Sequence, residues 1–136
     1  MIIPAHVVKF ISALAELQPQ MTDVWLIGSR ANERATEKSD TDLIVFGSKD
    51  LIDAAKECVE PPTDIDCLIV YDGDNYRDPW QDKTGSLTEL NWKPIDSQLA
   101  NYVGTKFIQD YEASKEFDIK MGSVEQLNER AVRFWP

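Results

Sequence analysis

The chain has 136 residues, the usual length of one domain. It carries 14 basic and 24 acidic residues, a formal net charge of −10, and its 43% of hydrophobic residues is enough for a packed core. Because like charges repel over about 8 Å at physiological salt, this acidic balance argues against a nucleic-acid-binding protein. Two cysteines without CxxC spacing and one histidine argue against a disulfide framework or a zinc site. No apolar run reaches the roughly 18 residues of a membrane span, so we expect a cytoplasmic protein with no membrane partner.

Apolar spacing in the first half of the chain predicts alternating helices and strands. Residues 5–18 repeat apolar side chains every three or four positions, as one face of a helix does, and Pro19 marks its end. Residues 41–46 contain four consecutive apolar residues, which indicates a central strand buried on both faces. The predicted elements in chain order are helix 5–18, strand 24–27, turn or short helix 30–39, strand 41–46, helix 49–59 and strand 64–71.

The second half of the chain predicts a smaller extension. Residues 86–94 and 101–108 have the composition of two short strands, which would form a ribbon. Ser123 with Gln126 resembles a capping box, and apolar residues at helical spacing favour a final helix over 123–134. We therefore predict a single α/β (α+β) domain over residues 1–136. It has a mixed-sheet core at about 5–72 with flanking helices, and a C-terminal ribbon and helix at about 76–136.

The corner after the first strand carries features of a phosphate site. In Gly28-Ser29 the glycine lets a phosphate approach the backbone closely, and the serine offers a hydroxyl donor. Arg30, Arg34 and Lys38 follow in the next loop and would add local positive charge to an acidic molecule.

Paired aspartates follow on the next strand. Asp40 and Asp42 stand two apart, so their carboxylates project to the same side, about 7 Å apart along the chain. Asp64 or Asp66 would complete a three-carboxylate group if the two strands are neighbours. Such a group repels itself unless it binds a divalent cation, and oxygen ligands favour Mg²⁺ or Mn²⁺ over zinc. This chemistry suits phosphoryl or nucleotidyl transfer.

The spacing of these motifs resembles a known family. Gly28-Ser29, then ten residues, then Asp40-Thr41-Asp42-Leu43 is similar to the signature of the minimal nucleotidyltransferases of the DNA polymerase β superfamily. The resemblance implies that Asp40, Asp42 and Asp66 are the catalytic carboxylates and metal ligands, and Asp66-Cys67-Leu68 fits the third position better than Asp64-Ile65-Asp66 does. It also implies that Gly28 and Ser29 hold the nucleotide phosphates, with Arg30 and Arg34 beside them.

The implied function is Mg²⁺-dependent transfer of a nucleoside monophosphate, AMP from ATP, to a hydroxyl of a protein or small molecule. The alternative is a catalytically inactive nucleotide-binding or protein-interaction module, such as a toxin–antitoxin partner. Small members of the family act beside a helical HEPN-type protein, so the resemblance also implies such a partner. One departure lies in the loop, where many members have glycine at the position of Glu33.

Overall fold

The computed structural model describes residues 3–18, 21–109, 112 and 122–136. Its elements in chain order are α1 (Ala5–Leu17), β1 (Asp23–Ile27), α2 (Gly28–Ala31), β2 (Thr41–Phe46), α3 (Lys49–Cys58), β3 (Ile65–Tyr71), β4 (Asn75–Arg77), β5 (Thr84–Ser86), β6 (Lys93–Pro94), β7 (Leu99–Gln109) and β8 (Gly122–Trp135). Within the described ranges, no helix is long and apolar enough to cross a membrane.

The eight strands in the described part of the chain belong to one sheet, in the order β5-β4-β3-β2-β1-β8-β7-β6. The central pair β2 and β3 runs parallel, whereas β2 and β1, and β1 and β8, are antiparallel. The sheet is therefore mixed, and the predicted mixed α+β architecture is confirmed at this level.

One face of the sheet is covered by α1 and α3. The helix α1 buries Val7, Ile11 and Leu14, three of the four positions that the helical spacing predicted, and the fourth, Leu17, is partly buried. Ser48 begins α3, where its hydroxyl accepts a hydrogen bond from the Leu51 N–H and satisfies a free backbone donor. Three strands and two helices predicted in the first half of the chain are confirmed, with shifts of one residue at several ends, whereas the turn or short helix predicted at 30–39 contains a short helix that begins earlier, at Gly28, and ends at Ala31.

The other face of the sheet has its own apolar cluster. Trp25, Ile44, Leu68 and Tyr102 are buried there, and Trp92 packs against them from the segment before β6. Because side chains alternate along a strand, residues 42 and 66 lie on the same face as Ile44 and Leu68. The two aspartates therefore lie on the face opposite the helices.

The predicted C-terminal helix is wrong. Residues 122–135 form strand β8, which pairs with β7 along eleven positions and with β1 near its end. The apolar spacing from Val124 to Phe134 fits a helix, but two hydrogen-bonded neighbours in the sheet outweigh this local preference. Buried Glu129 and Ala131 face one side of the strand, as a period of two requires.

The predicted ribbon is correct in part. The strand expected at 101–108 lies within β7, but most of 86–94 forms turns, with strand only at its two ends. The C-terminal half also does not form an appendage to the sheet, because β8 pairs directly with β1 and continues the central sheet outward through β7 and β6.

Candidate functional site

Two carboxyl groups meet at the junction of the parallel central strands. Asp42 of β2 and Asp66 of β3 are register partners on neighbouring parallel strands, so their carboxyl groups lie side by side on one face of the sheet. Burial, together with hydrogen bonding to Asp66 and the Asp66 charge, raises the pKa of Asp42 from 3.8 to about 7, while the positive charge of Lys83 opposes the rise. The raised pKa of Asp42 means that this position favours a bound proton or another positive charge up to about neutral pH.

Asp40 lies two residues before Asp42 and is exposed. Its charge contributes to the raised pKa of Asp42, so it stands close enough to act by repulsion. Within the part of the chain that the structure describes, no three His, Cys, Asp or Glu side chains are arranged to hold a metal ion. The structure thus brings together two of the three predicted carboxylates.

Asp64, the other aspartate before β3, has a different neighbour. Its Oδ2 lies 2.6 Å from Nε2 of His6 on α1, and both side chains are about half exposed. The carboxylate that meets Asp42 is therefore that of Asp66, which is the one that the family resemblance favours.

The Gly-Ser corner lies directly against the carboxylate pair. Gly28 begins α2 with a φ of 70°, a left-handed conformation that favours glycine. A Cβ at this position would overlap the Oδ2 atom of Asp42. Because glycine has no such atom, the backbone at Gly28-Ser29 can lie against the carboxylate, and the two predicted motifs form one site.

Both arginines predicted to bind nucleotide have partners within the protein. Nη2 of Arg30 donates to the Ser39 carbonyl at 2.7 Å. The Arg34 guanidinium makes two hydrogen bonds to Glu129, at 2.5 and 3.2 Å, and this carboxylate raises the pKa of Arg34. Glu129 is 6% exposed, so Arg34 supplies the countercharge that a buried carboxylate needs. Lys38 is exposed.

The C-terminal strands fasten the loop that follows Gly28. The Asn32 amide donates to the Arg130 carbonyl at 3.0 Å and accepts from the Arg130 N–H at 2.8 Å, while the Arg130 guanidinium donates to the Ala31 carbonyl at 3.1 Å. On β7, the Tyr102 hydroxyl accepts a hydrogen bond from the Gly28 N–H at 2.8 Å. Sequence analysis missed these residues because the contacts join positions 74 to 99 residues apart.

Glu33 occupies the loop position at which the family resemblance expects glycine. Its φ is 58°, in the left-handed region where most residues with a side chain are strained. A glycine would adopt this backbone conformation without strain, whereas this loop adopts it with glutamate.

A polar groove of about 670 Å³ adjoins the site. Four asparagines contribute to its lining, at positions 32, 91, 101 and 128, together with charges of both signs from Glu33, Lys93, Glu129 and Arg130. Tyr102 also lines the groove and so links it to Gly28. The groove provides space for a polar molecule beside Tyr102, although neither Asp42 nor Asp66 contributes to its lining.

Comparison with known proteins gives one family match. No curated protein and no solved structure matches the chain significantly. A family model described as a nucleotidyltransferase domain matches residues 7–62, which include Gly28, Ser29, Asp40 and Asp42 but not Asp66. Over this part of its length, less than half of the whole, the chain is similar to nucleotidyltransferase domains.

Proposed function

We propose that this protein is a Mg²⁺-dependent nucleotidyltransferase that moves AMP from ATP to a hydroxyl group of a protein or a small molecule. The observation that carries the proposal is the position of the Asp42–Asp66 pair against the Gly28-Ser29 corner. The Gly-Ser corner and the carboxylate pair thus meet at one place. Gly28, Ser29 and Asp42 lie in the segment that is similar to nucleotidyltransferase domains, and Asp66 lies after it.

The carboxylate pair fits a divalent cation. Mg²⁺ is commonly held by one or two carboxylates together with substrate phosphates and water. Asp42 and Asp66 would hold Mg²⁺ or Mn²⁺, and Asp40, exposed at the entry of β2, would be the third ligand. When bound, the cation supplies positive charge that stabilises the phosphates and lowers the pKa of the attacking hydroxyl.

The protein's own groups have distinct roles in the proposed reaction. Gly28 keeps the backbone open beside the phosphates, Ser29 offers its hydroxyl, and Lys83 contributes positive charge near Asp42. The acceptor oxygen attacks the α-phosphorus, the bond to the bridging oxygen breaks, and pyrophosphate leaves. Asp66 takes up the acceptor's proton as the general base.

A second function is favoured by three observations. The described residues contain no assembled three-carboxylate group, Arg34 is bound to Glu129, and the Gly28 N–H is bound to Tyr102. These contacts suit an inactive nucleotide-binding or protein-interaction module, for which an HEPN-type protein would be the partner that the family resemblance implies. In that case the fold would bind a nucleotide or a protein without turnover.

Nucleotide binding and label transfer distinguish the two functions. ATP carrying a labelled α-phosphate is titrated into the protein with Mg²⁺, and transfer to proteins and small molecules of a cell extract is followed together with pyrophosphate release. Asp42→Asn and Asp66→Asn should reduce transfer at least about a hundredfold, because each removes a ligand charge. Asp64→Asn is the matched control, since it changes an aspartate that pairs with His6.

Each result has a defined meaning. Transfer by the wild type and Asp64→Asn, lost in the two site variants, supports the enzyme. Binding of ATP without transfer to any acceptor supports the inactive module. Absence of ATP binding contradicts the enzyme and the nucleotide-binding module, and supports the protein-interaction module.

A further inference from the structure

Tyr102 brings a hydroxyl from the C-terminal half of the chain to the Gly-Ser corner. Its side chain is only 6% exposed, and its ring stacks on Trp92 with centroids 6.2 Å apart and an interplanar angle of 26°. The hydroxyl accepts the Gly28 N–H at 2.8 Å. The Tyr102 hydroxyl is therefore held against the backbone of the predicted phosphate motif.

The Tyr102 hydroxyl can still donate one hydrogen bond. A phenol both accepts and donates, and the bond to Gly28 uses only an acceptor position. Among the described residues, Gly28 is the single hydrogen-bond partner of this oxygen; Asp42, Glu129 and Arg34 influence it only through their charges. Burial raises the pKa of Tyr102, so the phenol keeps its proton at neutral pH. A buried donor without an acceptor is costly, and a ligand oxygen would satisfy it.

We propose that Tyr102 is a phosphate-positioning residue, whose hydroxyl fixes the Gly28 N–H and donates its own proton to a phosphate oxygen of the bound nucleotide. This inference rests on the proposed function, because it needs a triphosphate at the Gly-Ser corner. The C-terminal half of the chain thereby contributes directly to nucleotide binding.

The packing around Tyr102 favours donation of the hydroxyl proton to a phosphate over displacement of the hydroxyl from Gly28 by that phosphate. For a phosphate to take the Gly28 N–H directly, the hydroxyl would have to leave, but the Tyr102 ring is buried and stacked on Trp92. The adjacent groove of about 670 Å³ leaves space for a ligand beside the ring without this movement. The charges around the hydroxyl are those of Glu129, Asp42 and Arg34; Arg34 neutralises Glu129, and a cation held by Asp42 would offset the remaining carboxylate.

The test compares Tyr102→Phe with the wild type, using Tyr76→Phe as the matched control. Tyr76 is another buried tyrosine, 9% exposed, and its hydroxyl packs against Gly85. Affinity is measured by calorimetry for Mg²⁺–ATP and for inorganic tripolyphosphate with Mg²⁺, which isolates the phosphate contacts from base recognition. Loss of one hydrogen bond to a charged oxygen should weaken both ligands about tenfold in Tyr102→Phe and neither in Tyr76→Phe.

A spectroscopic readout separates positioning from a structural role. Tripolyphosphate should produce a near-ultraviolet tyrosine difference spectrum in the wild type and in Tyr76→Phe that is absent from Tyr102→Phe. Unchanged affinity in Tyr102→Phe overturns the inference while leaving the proposed function intact. Tighter binding also overturns it, since it would mean that the hydroxyl blocks the Gly28 donor. If the wild type and both variants fail to bind either ligand, the proposed function fails, and the inference fails with it.

Discussion

Replacing Asp42 by asparagine measures the cost of holding two carboxyl groups side by side between β2 and β3. Asparagine keeps the size of the side chain and its ability to hydrogen-bond Asp66, but it carries no charge. The pKa of Asp42 is raised from 3.8 to about 7 in the folded protein, mainly by burial and then by Asp66. The contribution of the Asp42 carboxyl group to the free energy of unfolding is therefore fully present below about pH 4, and it is lost as the pH rises through about 7.

The size of the effect follows from the shift of the Asp42 pKa. A rise from 3.8 to about 7 corresponds to an upper limit of about 4 kcal/mol. Because the side chain is partly open to solvent, screening reduces this to about 2 kcal/mol. About half of this free energy of unfolding is lost between pH 5 and pH 8, which corresponds to a decrease of about 4 °C in Tm.

The assay is thermal unfolding followed by circular dichroism, from pH 5 to pH 8, in buffer containing EDTA. We expect Asp42→Asn to gain about 1 kcal/mol, or about 4 °C in Tm, relative to the wild type across this range. Asp64→Asn, which changes the partner of His6, controls for loss of an aspartate outside the pair. A wild-type-to-variant difference that stays constant with pH, or that favours the wild type at pH 8, would refute the reasoning.

Three further predictions follow from the site. Adding Mg²⁺ at pH 8 should raise the Tm of the wild type but not of Asp42→Asn, and EDTA should reverse the gain; an equal gain in both would contradict cation binding by the pair. Arg34→Ala should cost about 2 kcal/mol in urea unfolding and more than Glu129→Gln, because it leaves a buried carboxylate without its partner. A larger loss in Glu129→Gln would contradict this. Gly28→Ala should destabilise by about 2 kcal/mol more than Gly73→Ala, because both glycines have a positive φ but only Gly28 lies against a carboxylate. Equal losses would show that the contact with Asp42 is unimportant.

The first half of the fold could be predicted because its signals are local. The helical spacing in α1 and the four consecutive apolar residues of β2 each reflect burial of a neighbouring face. The secondary structure at the end of the chain could not be predicted in this way. Residues 122–135 have apolar positions that fit a helix, but eleven register pairs with β7 make them a strand. Local spacing could not show this pairing, because the partner of each residue lies on the adjacent strand and not among its neighbours in the chain.

Part of the candidate site could also be predicted from the sequence. Gly28 and Asp42 could be placed in one site because the motif spacing and a strand-turn-strand context bring them together. Asp66 required the parallel pairing of β2 and β3, which the sequence only made plausible. Tyr102 and Glu129 gave no sequence signal, since their roles depend on contacts with residues 74 and 95 positions away.

The amino-acid sequence was sufficient to predict an acidic α+β protein and a Gly-Ser corner followed by paired aspartates. These features could be predicted because composition, periodicity and spacing are properties of neighbouring residues. Tertiary structure decided which carboxylate meets Asp42, which arginine is neutralised by a buried glutamate, and which hydroxyl reaches Gly28. These outcomes depend on strand order and on distant pairing in the sheet. A side chain's charge and hydrogen-bonding capacity therefore acquire their role only when folding supplies a partner.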